Sequence, residues 1–502
     1  MLALLLVQAV AVLLTTLVVW PHLPPLHQDE LLPLVPLVRF HKVPDAWGDY
    51  VRGLSVTVFG HVLPLRSYVY EGALRALLYA PFFPIRWQTY RATNVVWVFV
   101  LFALILCCCR RLGGLRAAVL GCSLLATDVS FVYLGITEQV RVLHFILGVA
   151  LFLLAAACVE RPRPATAAGL AVVVALGVWN KLEFLWFVAA ALAATHPAAL
   201  LRAGAVRALL AIDVAVGVGL LGAYAIVPSY FRLAGIGAAA TVAPSALARV
   251  GHFADLWPLV APLGAYHRHV DVTAGLDAAP ATTYSAAFLG FAAAVVLGLA
   301  VAGVRERRPA WLALAIFPVV LAVLAVLTPF TMHVHHILVV KPFVYAGAAV
   351  LAARALGAPR KRVAVLALWA VLLAGSLAAN VQAFAAMQHA PPLRGPYGVS
   401  ANAVDAWQAA VASDVREIRA LDWGVFFAGL VSSRPDQRWD METLGTPDAL
   451  RKLMAGRERV GLLFRADGPH AWLRGERAYP IAAERVFRTH PGDAWVFLVL
   501  AG

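Results

Sequence analysis

The sequence predicts a polytopic α-helical membrane protein, about eleven spans followed by a small α/β domain. Three observations carry this. Hydrophobic residues make up 62% of 502 and charged ones only 14%, against roughly 45–50% and about 25% in soluble domains. Mean hydropathy is +0.79. The apolar runs are continuous rather than alternating, which favours helices over a barrel.

In chain order, the runs and their breakers place spans near 2–20, 92–109, 117–134, 142–159, 165–180, 182–196, 208–228, 284–303, 310–328, 337–354 and 363–380. The first run lacks a charged n-region and a small-residue cleavage site, so it reads as a retained helix. Residues 165–196 are parted only by Asn180, Lys181 and Glu183, so each half is short. Residues 1–380 form the membrane domain, with long loops 21–91 and 229–283. ELLPLVPLVRFHKV and YEGALRALLYAPFF in the first loop suit the membrane surface better than a crossing. Residues 381–502 form the terminal domain. A helix is expected around 402–419, a strand at WGVFFAGLV, a helix at TPDALRKLMAG, and strands at RVGLLFRA and DAWVFLVLA.

Charge sets an orientation. Arg110, Arg111, Arg116, Arg161, Arg163, Arg202, Arg207, Arg305, Arg307, Arg308, Arg354, Arg360, Lys361 and Arg362 fall in one set of short loops, whereas the opposite set holds Arg141, Lys181 and Lys341. The positive-inside bias assigns the first set to the cytoplasm and the long loops and C-terminus to the outside. The net charge of +14 therefore reflects topology; no basic stripe interleaved with aromatics points to nucleic acid. Cys107, Cys108, Cys109, Cys122 and Cys158 all lie in expected spans, where they read as packing residues rather than metal ligands or disulfides.

Ionisable residues gather at the outer ends of several spans. Asp29 and Glu30 follow the first span in LHQDELLPL. Asp128 and Glu138 share TDVSFVYLGITEQVR, and Lys181 sits in WNKLEF. His333, His335, His336 and Lys341 share TPFTMHVHHILVVKPF. Carboxylates there can act as a base, and cationic groups can hold an anionic headgroup. Each also has a plainer reading: a solvated loop, a helix-terminal acid or a snorkelling lysine. Pro342 should loosen the backbone beside Lys341. Asp128 or Glu138 with His335 could hold a divalent metal, though no HExxH supports one.

The N-terminal two-thirds resembles the GT-C glycosyltransferases that use lipid-linked sugars, especially the protein O-mannosyltransferase and aminoarabinose transferase group. The acidic pair Asp29-Glu30 after the first span, SYVYEGALRALLYAPFF and HHILVVKPFVYAGAAV carry the resemblance. The DWG in IRALDWGVFF is similar to external tails of some bacterial members. Histidines stand where the family's late span opens with a basic-aromatic pair. The resemblance implies a plasma-membrane enzyme of the bacterial cell envelope, working at the outer face with no certain cofactor. It would transfer a hexosyl or pentosyl group from a polyprenyl-phosphate donor to a hydroxyl or amine of a glycan, lipid or protein, with inversion. Asp29 would be the base, Glu30 its orienting neighbour, and Lys341, His336 and Lys181 the donor-phosphate cations. A lipid-linked saccharide flippase or a membrane hydrolase are the alternatives. Few ionisable residues lie mid-span, Asp213 chief among them, which disfavours transport.

Overall fold

The computed structural model describes residues 1–20, 34, 55–58, 61–65, 72–79, 81, 87–136, 142–228, 283–327, 338–389, 401–434, 436–442, 444–490 and 493–502. The chain divides into two compact units, one of Met1–His22, Ala92–His269 and Ala278–Gln388, the other of Leu23–Arg91, Val270–Asp277 and His389–Gly502.

The first unit is helical. Its elements are α1 (Leu2–Val19), α3 (Trp87–Thr127, which begins in the other unit), α4 (Val129–Ile136), α5 (Val142–Glu160), α6 (Pro164–Asn180), α7 (Phe184–Ala199), α8 (Ala205–Ile226), α9 (Thr283–Arg305), α10 (Pro309–Leu327), α11 (Lys341–Ala355) and α12 (Arg362–His389). Among the described residues, seven helices are long and apolar enough to cross a membrane; 164–180, 184–199 and 290–305 are shorter apolar helices.

The expected spans 92–109 and 117–134 are two helical limbs that part at Gly114, within the basic breaker that the sequence placed between them. Within α3, Gly114 has φ 76°, a conformation costly for a residue with a Cβ. The second of them then breaks at Asp128 before resuming as α4. At the other boundary, α12 continues to His389, beyond the expected end near 380.

Packing explains the compositional extremes. Lys341 to Val350 of α11 are buried without exception, so this helix is central. Its Phe343 meets Phe317 of α10 at 4.5 Å and Phe152 of α5 at 5.6 Å between ring centroids. Gly347 lies so close to Val295 and Leu299 of α9 that a Cβ would collide with both. The cysteines are free, and all but Cys107 are buried. They serve as packing residues: Cys122 lies against Gln8 of α1, Sγ to Oε1 3.3 Å.

In the second unit, β1 (Ser55–Val58) and β2 (His61–Pro64) form an antiparallel pair that the sequence reading did not anticipate. Among the described residues of the run YEGALRALLYAPFF, Leu74–Tyr79 form the short α2, with Arg75, Ala76 and Tyr79 buried. The Arg75 guanidinium donates to the Tyr90 hydroxyl, and the Tyr79 and Tyr90 rings lie 4.9 Å apart.

The C-terminal part contains α13 (Ala401–Ala412), β3 (Glu417–Ala420), α14 (Trp423–Ser432), β4 (Arg438–Met441), α15 (Pro447–Met454), β5 (Arg459–Arg465), β6 (Ile481–His490) and β7 (Asp493–Ala501). The sheet order is β4-β3-β5-β7-β6, parallel across the first three strands and antiparallel across the rest. WGVFFAGLV is thus helical, not a strand. Its residues Val425 to Val431 are buried throughout, and periodicity cannot separate a buried helix from a buried strand over so short a run. Gly429 lets the Trp439 ring of β4 seat against α14. The expected helix 402–419 stops at Ala412, and its last residues form β3. The helix at α15 is well signalled: Thr446 accepts from the Ala449 N–H at 3.3 Å, Pro447 opens the first turn, and Arg451 and Lys452 close the last.

Candidate functional site

Contacts in the helical unit sort its helix ends into two sets. Arg111 pairs with Glu160 at 2.9 Å, the Arg202 guanidinium donates to the Glu160 carbonyl, the Trp311 indole to the Leu112 carbonyl at 2.9 Å, and Arg354 pairs with Glu306. These ends carry the arginine-rich short loops. At the opposite end, His144 packs edge-on against Phe184 and Phe187 at 5.4 and 5.1 Å, and Phe131 meets both Phe145 and Tyr345 at 6.5 and 6.4 Å. That end gathers Asp128, Lys181 and Lys341.

Its centre is an ion pair. Asp128 lies in the break between α3 and α4, where its N–H donates to the Leu125 carbonyl at 3.3 Å. The freed side chain accepts from Lys341 Nζ at 2.6 Å and from the Tyr345 hydroxyl at 2.7 Å, both on Oδ2. Lys341 and Tyr345 are four residues apart on α11 and so lie on one helix face. The Phe131 ring stands 5.0 Å from the ammonium, within cation–π range. Both charged side chains are 0% exposed.

An ion pair taken out of solvent is costly. The attraction repays several kcal/mol of desolvation per ion only when geometry and hydrogen bonds are good. Removing either partner is worse than having neither, so the two must be kept together or exchanged for other partners. Pro342 does not loosen the backbone here. A 3-10 turn at Leu338–Val340 leads into α11, and Pro342 sits in its first turn, where a missing N–H costs nothing. Nor does Lys341 snorkel; it is fully enclosed.

Lys181 follows the last residue of α6 and pairs with Glu183 at 2.7 Å, both largely covered. Asn180 beside it is buried. The other expected site residues, Asp29, Glu30, Glu138, His333, His335 and His336, lie outside the described residues. Among the described residues no group of three His, Cys, Asp or Glu could hold a metal. At Asp128 a divalent cation would have to share the carboxylate with the Lys341 ammonium; Glu138 and His335, the other expected ligands, are outside the described residues. Asp213, the mid-span candidate, is half-exposed and lies 3.4 Å from His196 on the neighbouring helix.

Tyr345 and His144 were not anticipated from sequence. Tyr345 is signalled by its spacing from Lys341. His144, an ionisable residue inside an apolar helix, is a signal in itself.

No protein-family model matches the chain, and no curated protein matches it either. Solved structures do. ArnT from Cupriavidus metallidurans in the apo state superposes with a TM-score of 0.59 at 13% identity, covering 98% of this chain and 97% of that one. The same protein bound to undecaprenyl phosphate gives 0.55 at 12%, covering 99% and 97%. The archaeal oligosaccharyltransferase AglB from Archaeoglobus fulgidus, in complex with an inhibitory peptide and a dolichol-phosphate, gives 0.52 at 12%, covering 98% and 74%. Identity this low speaks to fold alone, and on fold the agreement runs almost end to end. The chain shares the overall fold of these membrane proteins, and among the described residues it carries seven helices long and apolar enough to cross a membrane, in line with the span pattern of the sequence.

Proposed function

We propose that the protein is a membrane glycosyltransferase that takes a sugar from a polyprenyl-phosphate donor and places it on an acceptor hydroxyl or amine at the outer membrane face. The observation that carries this is the end-to-end correspondence with a protein captured on undecaprenyl phosphate. The collection of charged side chains at one end of the helical unit supports it.

The reaction is an inverting displacement. The acceptor oxygen or nitrogen attacks the anomeric carbon while the bond from that carbon to the phosphate oxygen breaks, and the electron pair stays on the phosphate. Asp29 takes the acceptor's proton, with Glu30 orienting it. Charge grows on the leaving polyprenyl phosphate and needs a fixed cation where it develops. Lys341 supplies it, with Lys181 and His336 as secondary cations. Since Lys341 rests on Asp128 in this structure, the phosphate must replace that carboxylate as its partner. Tyr345 remains on Asp128, and the released carboxylate takes up a proton or water, a cost that phosphate binding has to exceed. One anion is thus exchanged for another, and the ammonium is never left alone in a dry site.

The test is reconstitution of purified protein in vesicles with radiolabelled undecaprenyl-phosphate-linked sugars and a lysate of candidate acceptors. Transfer predicts undecaprenyl phosphate released in equal amount to labelled acceptor. Labelled lipid moving intact to the other leaflet would make the protein a flippase, and free sugar without labelled acceptor would make it a hydrolase.

A further inference from the structure

The opposite end of the helical unit holds a groove of about 350 Å³ between the α5–α6 and α7–α8 connections. Arg161, Arg163, Arg202 and Arg207 line it, with Glu160 the only carboxylate among its lining residues. We infer that this groove binds the phosphate headgroup of an anionic phospholipid, at the membrane face opposite the Asp128–Lys341 pair.

The charge is uncompensated locally. Glu160 already receives Arg111 at 2.9 Å, and among the described residues Arg161, Arg163 and Arg207 have no carboxylate partner. Topology alone would ask only for basic residues somewhere in these loops. Here they converge on a concavity, and Arg202 helps to form it. Its guanidinium donates to the carbonyls of Glu160 and Val159 at the end of α5, tying the two connections together. The groove also receives the start of α8. Gly204, with φ 82°, turns the chain into that 22-residue helix, whose first turn has no side-chain cap. Uncapped N–H groups at the positive end of a helix dipole favour an anion.

The neighbours of the groove decide between a free anion and a lipid. Leu200, Val206 and Leu210 are 72%, 78% and 63% exposed. Apolar side chains at the ends of membrane-spanning helices face acyl chains. A phospholipid satisfies both parts, its phosphate among the arginines and its chains along Leu200, Val206 and Leu210; inorganic phosphate uses only the first. The volume sits at the low end for small-molecule sites, about 300 Å³ upward, which suits a phosphate-glycerol headgroup.

Native mass spectrometry of the full-length protein, titrated with phosphatidylglycerol, with phosphatidylcholine of the same chains and with inorganic phosphate, tests the inference. Phosphatidylglycerol should bind preferentially and inorganic phosphate should not displace it at equal concentration. Arg163→Gln with Arg207→Gln should weaken phosphatidylglycerol roughly 10- to 30-fold, the scale of two basic residues facing an anionic headgroup. Ala203→Glu, which leaves every arginine in place but sets a carboxylate in the groove, should do the same. Thermal unfolding of each variant identifies any that fails to fold. Equal binding of both lipids, or no loss in either folded variant, would reduce the arginines to topology markers. Displacement by inorganic phosphate would make the ligand a free anion and overturn the lipid assignment.

Discussion

Lys341→Met is the most informative single change. It removes an ammonium that is 0% exposed and 2.6 Å from Asp128, while keeping the length and most of the volume of the side chain. Asp128 keeps the Tyr345 hydroxyl, but a neutral donor does not replace the ammonium opposite an enclosed carboxylate. The expected destabilisation is ~3–5 kcal/mol, the range for breaking a buried pair from one side. Asp128→Leu should cost a similar amount, because it takes the counter-charge from an enclosed ammonium. Combining the two removes both charges, and the double variant should recover to wild-type stability or exceed it by ~1–4 kcal/mol. The assay is unfolding of detergent-solubilised protein followed by intrinsic fluorescence. Titration with undecaprenyl-phosphate-linked sugar is run beside it, with undecaprenol as the uncharged control. If Lys341 meets the donor phosphate, the stable double variant still loses affinity for the phosphate-linked lipid, and Lys341→Arg retains part of it. Two results refute the reasoning. A single Lys341→Met variant as stable as wild type would mean that the pair is not dry. A double variant that binds donor normally would make the pair structural only.

Three other outcomes follow from particular residues. Asp29→Asn preserves shape and removes basicity, so turnover should fall by roughly 100-fold or more while donor binding survives, as for a lost general base; near-normal turnover would move the role elsewhere. A reporter active only outside the cytoplasm should work when fused after Gly502 and stay silent after Arg163, as the loop charges require; the reverse would invert the membrane orientation. Gly429→Ala drives a Cβ into the Trp439 ring and should destabilise the C-terminal part by ~1–3 kcal/mol, read as faster proteolysis of that part in the intact protein.

What the sequence by itself determined is what depends on composition and local order. Continuous apolar runs and their basic breakers state that the chain is helical and crosses a membrane, because hydrocarbon tolerates neither open backbone nor scattered charge. Capping at Thr446 and Pro447 defines α15 because such signals act within one turn. Where several local readings were equal, only packing chose. Trp423–Ser432 is a buried helix whose packing runs through Gly429, which admits the ring of Trp439, a residue beyond the end of that segment. The same holds at the candidate site. Asp128, Lys181 and Lys341 were legible one by one, as ionisable groups at helix ends. That Asp128 and Lys341 are partners, with Tyr345 sharing the carboxylate, was decided by a helix break at Asp128 and a central helix more than two hundred residues later. Nothing in either segment names the other, and the attraction exists only once the fold has removed the water from both.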